Sequence, residues 1–182
     1  CTGTGEPYRE EQVRGMMLLR ANALCVGISG VRPVLVEMLI EMLNKGVTPV
    51  IPQKGSLGAS GDLAPLSHMG LVLLGRGEAV YQGRKLPGGE AMALAGIPAL
   101  DTLVCKEGLG ITNGTCAMTS VGALHLYDTI QAAQLVHDQS RAVSQSAHIA
   151  NGDSGPLAVV HLTLDRAHRS KAGSAQQVED HK

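Results

Sequence analysis

The sequence predicts a mainly α fold with one small β-hairpin, and three observations carry that expectation. The apolar material is aliphatic: hydrophobic residues fill 44% of the 182 positions, yet the only aromatics are Tyr8, Tyr81 and Tyr127. A core of Leu, Val, Ile, Met and Ala suits close helix packing better than a β-sandwich, which leans on aromatic and β-branched side chains. Apolar positions also recur at helical spacing in several segments, and glycines stand where those segments stop. The length fits one domain and is short for two.

Residues Arg9 to Leu24 form the first predicted helix, with Val13, Met16, Met17, Leu19 and Leu24 as its apolar positions. Gly27, Ser29 and Gly30 break the pattern. Pro33 then sits in a first turn, and Val34, Leu35, Met38, Leu39 and Met42 repeat until Gly46 stops the second helix. Thr48 to Pro52 reads as a short extended link. The stretch Gly55 to Gly61 is too rich in glycine for an ordinary helix. Asp62 is placed to cap a third helix from Leu63 to about Leu74, with Pro65 in its first turn and Gly75 at its end.

Ala79-Val80-Tyr81, a turn at Gln82-Gly83 and Arg84 to Leu86 predict the hairpin. A short helix is expected near Glu90 to Ala95, stopped by Gly96. Asn113 is then placed to cap the longest helix, from about Gly114 to His137, with Met118, Val121, Leu124 and Ile130 as apolar positions. Beyond Arg141 the chain reads as polar and broken, with a loop at Asn151 to Pro156 and a brief helix or strand at Val159 to Leu164. The last ~12 residues carry no periodicity and read as disordered. The expected organisation is a helical core over residues 1–140 and a divergent polar segment over 141–182.

Composition excludes some roles. The formal charge is -1, from 15 basic and 16 acidic residues, which argues against a general nucleic-acid binder or a polybasic membrane binder. No apolar run approaches the ~18 residues that cross a bilayer, and no signal-peptide pattern opens the chain, so secretion and membrane insertion are disfavoured. Cys1, Cys25, Cys105 and Cys116 form no CxxC pair and have no metal-like histidine spacing. They read as buried thiols in a reducing cytoplasm. The methionines Met16, Met17, Met38, Met42, Met69 and Met118 read as filler at helix interfaces, and Tyr8 as a packing residue.

The glycine-rich segment admits three readings. A glycine-rich loop before a helix N-terminus can cradle phosphate, but the Gly-Lys-Ser/Thr ending of a P-loop and the dinucleotide spacing are both missing. It can be a tight connection whose glycines permit unusual dihedrals. Or Ala59-Ser60-Gly61 can be the seed of a backbone-derived electrophile. In a compressed turn the unhindered Gly61 nitrogen attacks the Ala59 carbonyl carbon and expels water. Ser60 then loses its hydroxyl as a second water, leaving a methylidene-imidazolone ring that acts as an electron sink.

The run Gly55-Ser56-Leu57-Gly58-Ala59-Ser60-Gly61-Asp62-Leu63-Ala64-Pro65-Leu66-Ser67-His68 closely resembles the signature of the aromatic amino-acid ammonia-lyase family. Gly3-Thr4-Gly5-Glu6-Pro7, Arg20-Ala21-Asn22, Gly27-Ile28-Ser29-Gly30, Lys106-Glu107-Gly108 and Asn113-Gly114-Thr115 resemble further family landmarks, in the family's order. The resemblance covers roughly residues 1 to 135 and is most like the bacterial histidine branch.

What it implies is a fragment of a helical-bundle lyase that deaminates histidine or a related aromatic amino acid to an α,β-unsaturated acid and ammonia. Ala59, Ser60 and Gly61 would become the methylidene-imidazolone group (MIO), with no external cofactor. Asp62 would assist the cyclisation, and Asn113 would hydrogen-bond near the ring. Both Ser60 and Asn113 fall at predicted helix N-termini, whose positive potential suits charge developing on such a ring. An aminomutase using the same ring and a non-catalytic scaffold fragment are the rival readings.

The resemblance also implies a small-molecule substrate, a homotetramer and sites shared between chains. The family's base tyrosine and an adjoining histidine belong upstream of Gly3, and its Gln-Asp-x-Tyr-Ser-x-Arg motif has no counterpart beyond the short Val178-Glu179-Asp180-His181. The isolated chain is therefore expected to be weakly active or inactive, and to self-associate through exposed apolar faces. His68 reads as a helix histidine held by a local partner rather than a catalytic group. The other six histidines read as surface or satisfied side chains. Lys106 and Glu107 read either as a local ion pair or as part of a site wall.

Overall fold

The computed structural model describes residues 3–56 and 63–150, with side chains as far as residue 144. Ala59, Ser60, Gly61 and Asp62, and everything expected beyond Ala150, lie outside the described residues. Two compact units divide the chain, residues 1–127 and 128–182. The order of described elements is β1 (Thr4–Pro7), α1 (Glu10–Cys25), α2 (Pro33–Lys45), β2 (Thr48–Pro49), β3 (Pro52–Lys54), α3 (Leu63–Leu73), β4 (Glu78–Tyr81), β5 (Arg84–Pro87), α4 (Gly88–Leu94), α5 (Glu107–Thr112) and α6 (Cys116–Ala150). The fold is mainly helical, as the aliphatic composition predicts.

Local chemistry sets the first two helices within a residue of the sequence expectation. At the entry to α1 the Arg9 amide donates to Gln12 Oε1 at 3.0 Å, and Glu10 and Glu11 in the first turn complement the helix dipole. Helix α2 opens on Pro33, whose missing N–H costs nothing there. It closes on Gly46 in the left-handed conformation (φ 75°), with the Gly46 amide donating to the Met42 carbonyl. In the β4–β5 hairpin Gln82 (φ 50°) and Gly83 (φ 72°) are both left-handed, the type I′ geometry that matches strand twist. Ala79 pairs with Leu86 and Val80 with Lys85.

The core belongs to unit 1. Met16, Met17, Leu35, Leu39, Met42, Ile51, Leu66, Met69, Leu73 and Met92 are fully buried. Five of the six methionines expected at helix interfaces are there, and Met118 is the exception, 60% exposed on α6. Tyr8 packs half-buried against the core and its hydroxyl donates to the Gln53 carbonyl at 3.3 Å.

Several expectations fail. Thr48 to Pro52 is not a plain link: β2 joins the hairpin in a three-stranded antiparallel sheet β2-β4-β5, and β3 pairs antiparallel with β1, which the sequence did not announce. Strands of two to four residues interrupted by proline carry too little alternation to be read, and their partners are distant in sequence. The longest helix begins at Cys116 rather than Gly114 and runs to Ala150. Residues 141–150 contain neither Gly nor Pro, so nothing in them ends a helix. Among the described cysteines, Cys25 and Cys105 are exposed and Cys116 alone is buried.

Candidate active site

The glycine-rich loop is fixed at both of its described ends. Upstream, β3 is held by the β1 pairing, with Thr4 opposite Lys54 and Pro7 opposite Pro52. Downstream, α3 begins at Leu63, and Ser67 Oγ donates to the Leu63 carbonyl at 2.6 Å. Helix α3 packs closely on α5, because Gly70 has no side chain: a Cβ there would lie 3.1 Å from Ile111 Cγ2. The helix that follows the loop and the helix that leads to Asn113 therefore form one packed pair.

Asn113 is not where the sequence put it. It is the C-cap of α5, with φ -92° and ψ 103°, and its amide donates to the Leu109 carbonyl at 2.9 Å. Helix α5 has no counterpart among the expected elements, and with Gly108 and Gly110 in six residues it carries little helical propensity. Asn113, Gly114 and Thr115 bridge α5 to α6, so Asn113 is not the cap of a helix N-terminus and draws no positive potential from that position. The positive charge there has another source. Arg20, on α1, donates from Nη1 to the Asn113 carbonyl at 2.7 Å. The residue is only 6% exposed, and its Nε is buried with no partner among the described residues. A side chain on Gly114 would collide with the same Nη1.

The other end of α5 is also tied down. Glu107 is 1% exposed and accepts four hydrogen bonds: from Arg32 Nε (2.7 Å), Arg32 Nη2 (2.8 Å), the Arg32 amide (3.0 Å) and the Val104 amide (2.9 Å). The Arg32 guanidinium holds the carboxyl well below the usual carboxylate range, at about 2, with burial opposing and the two amides assisting. The reading of Lys106 and Glu107 as a local ion pair does not survive, since the partner of Glu107 is Arg32. His68 likewise has a distant partner instead of a local one: its Nε2 accepts from the Gly3 amide at 3.3 Å. Burial pushes the imidazole below its ordinary value.

Of the predicted site residues, then, Asn113 alone is described, and it meets Arg20, which sequence reasoning quoted only as a landmark. One signal could have found it. Met16, Met17, Arg20, Ala21 and Leu24 share the buried stripe of α1, and a lone arginine on an apolar stripe needs a partner.

Comparison with known proteins places the chain in a family. A family model described as aromatic amino acid lyase matches residues 1–181. A histidine ammonia-lyase of Alkaliphilus metalliredigens (strain QYMF) is 64% identical over 126 residues, which is 69% of this chain and 25% of that protein. The crystal structure of histidine ammonia-lyase from Trypanosoma cruzi aligns with a TM-score of 0.69 at 32% identity, over 85% of this chain and 32% of that one. Phenylalanine aminomutase from Pantoea agglomerans aligns with a TM-score of 0.65 at 41% identity, over 71% of this chain and 24% of that one. The chain spans about a quarter to a third of the length of the curated relatives it matches. Residues 1–181, with the Gly55 to His68 run and the Arg20–Asn113 contact among them, thus belong to a member of the aromatic amino acid lyase family.

Proposed function

We propose that the protein is an ammonia-lyase acting on histidine, and that Ala59-Ser60-Gly61 condenses into a methylidene-imidazolone group. The observation that carries this reading is the Ala-Ser-Gly triplet in the sequence between β3 and α3, in a chain matched by the lyase family over residues 1–181. Histidine is favoured by the naming of the relatives: several, at up to 64% identity, are called histidine ammonia-lyase.

The residues present fit such a group. Ala59 and Gly61 are residue types that add little bulk to a condensing backbone, and Ser60 carries the one hydroxyl in the triplet that can leave as water. The buried Arg20 guanidinium, with its orphaned Nε, supplies fixed positive charge at Asn113. Once formed, the group supplies an electrophilic carbon for the substrate amine. The chain's own part is to hold the loop ends by β3 and α3, to assist cyclisation through Asp62, and to present the Asn113 amide as a hydrogen-bonding group near the ring. Preorganised dipoles and charges of this kind do most of the stabilising in reactions that develop negative charge.

The test is mass spectrometry of the full-length protein followed by product analysis. A mass deficit of two water molecules, localised to the peptide containing Ala59-Ser60-Gly61 and absent from Ser60→Ala, is expected. Histidine should then yield free ammonia and an α,β-unsaturated acid. Full mass at that peptide overturns the reading. The likeness to the Pantoea aminomutase favours a second reading, in which the same group returns the amine to the β-carbon. A β-amino acid among the products would establish it.

A further inference from the structure

We propose that Arg20 is the positioning residue for Asn113: its buried guanidinium anchors the Asn113-Gly114 backbone so that the Asn113 side chain is presented in one fixed pose to the reacting group. The inference rests on the reading of the Ala59 to Gly61 loop given above and adds a residue and a role to it.

Three observations converge. Arg20 lies on the buried stripe of α1, where a charged side chain is costly, and no described residue ion-pairs with it. Its one hydrogen bond among the described residues is the 2.7 Å donation from Nη1 to the Asn113 carbonyl, a charge-assisted contact between residues 93 positions apart. Gly114 completes the seat, since any side chain there would displace Nη1.

The geometry of α5 explains why an anchor is needed at this point. The N-terminal end of α5 is fastened to α2 by Arg32 and Glu107. The helix is only six residues long and contains two glycines, so it cannot by itself transmit that order to its far end. Arg20 fastens the far end to α1. Asn113 then sits between two fixed points, and misplacement of a reacting partner by about 1 Å can cost roughly a hundredfold in rate.

Arg20→Met and Arg20→Lys in the full-length protein test the role. The methionine variant removes the buried cation and keeps the apolar volume, and it leaves the Asn113 carbonyl without its donor. It should speed hydrogen exchange at the Asn113 amide while leaving the Val104 amide unchanged. It should also lower kcat for deamination by about ten- to a hundredfold, with KM nearly unchanged and the two-water mass deficit intact. Arg20→Lys, which keeps a cationic donor, should recover part of the kcat.

Unchanged exchange at Asn113 overturns the anchor whatever the enzyme does. Faster exchange with wild-type kcat overturns the catalytic role and leaves the proposed function standing. A wild-type protein with neither mass deficit nor deamination defeats the proposed function, and with it the catalytic role, while the exchange result still decides whether Arg20 holds the backbone.

Discussion

Arg32 and Glu107 form an asymmetric pair: the guanidinium is 42% exposed, whereas the carboxylate it grips is 1% exposed. Nε and Nη2 each take a different carboxylate oxygen, so the contact is bidentate, and the two backbone amides fill the remaining acceptor sites. The asymmetry gives direction to the energetics. A carboxylate that is buried and fully satisfied stays ionised only while its donors are in place, whereas the arginine can fall back on water.

Acid should therefore weaken the fold in part through this pair. The Glu107 carboxyl is lowered from 4.5 to about 2 by Arg32. A depressed folded value means that the contribution is fully present above 4.5 and is lost as pH falls toward about 2. Thermal unfolding of the wild type should weaken across that window. Glu107→Gln should be less stable at neutral pH and should flatten the acid slope. An unaltered slope in the glutamine variant would mean that other carboxyls carry it.

How much of this was legible in the sequence depends on the range of the interaction. Pro33, Gly46 and the Gln82-Gly83 turn act within a few residues, so their helix and hairpin boundaries could be read directly. The β1–β3 pairing joins residues some fifty positions apart through short strands that hold proline and glycine, and no local pattern announces it. The site divides in the same way. The chemistry proposed for Ala59-Ser60-Gly61 rests on three consecutive residues. The Arg20–Asn113 and Arg32–Glu107 contacts exist only once α1, α2 and α5 have packed, so neither partner could be read from the local pattern.

His68 offers a second pH-dependent latch, with a different window. Its imidazole lies below the ordinary value of 6.5 because burial disfavours the charged form. Neutral Nε2 can accept from the Gly3 amide, and protonated Nε2 cannot. This contribution is present above 6.5 and disappears as pH falls through the lowered folded value. Amide exchange at Gly3 should accelerate in mild acid, once the intrinsic pH dependence of exchange is removed. His68→Gln, whose amide oxygen accepts at every pH, should abolish that acceleration. Protection that persists unchanged through the titration would rule the latch out.

Helix α1 meets the first turns of α6 at a glycine. Ser120 Oγ donates to the Gln12 carbonyl at 2.7 Å, and a methyl on Gly15 would run into that same hydroxyl. Gly15→Ala should destabilise unit 1 by about 1–3 kcal/mol through overpacking, even though alanine is the better helix former. Ser120→Gly, which removes the obstructing hydroxyl, should recover part of the loss when combined with it. Chemical denaturation of the two single variants and the double variant closes the cycle. Strict additivity would show that the two sites do not touch.

The last prediction concerns α6. Met118, Leu126, Tyr127, Ile130, Leu135, Val136 and Val143 are all exposed on it. At 100° per residue, Met118, Val136 and Val143 fall on one side, Leu126 and Ile130 on a second, Tyr127 opposite the first, and Leu135 on a fourth. A helix with apolar residues all round has no face suited to water and becomes stable only when it is surrounded. The isolated 182-residue chain should therefore associate with copies of itself, with apparent size rising with concentration in sedimentation measurements. Leu126→Gln together with Ile130→Gln should weaken the association, because two large apolar side chains one turn apart are lost from the same face. A wild-type chain that sediments as a single monomer at every concentration would show that α6 does not drive self-association.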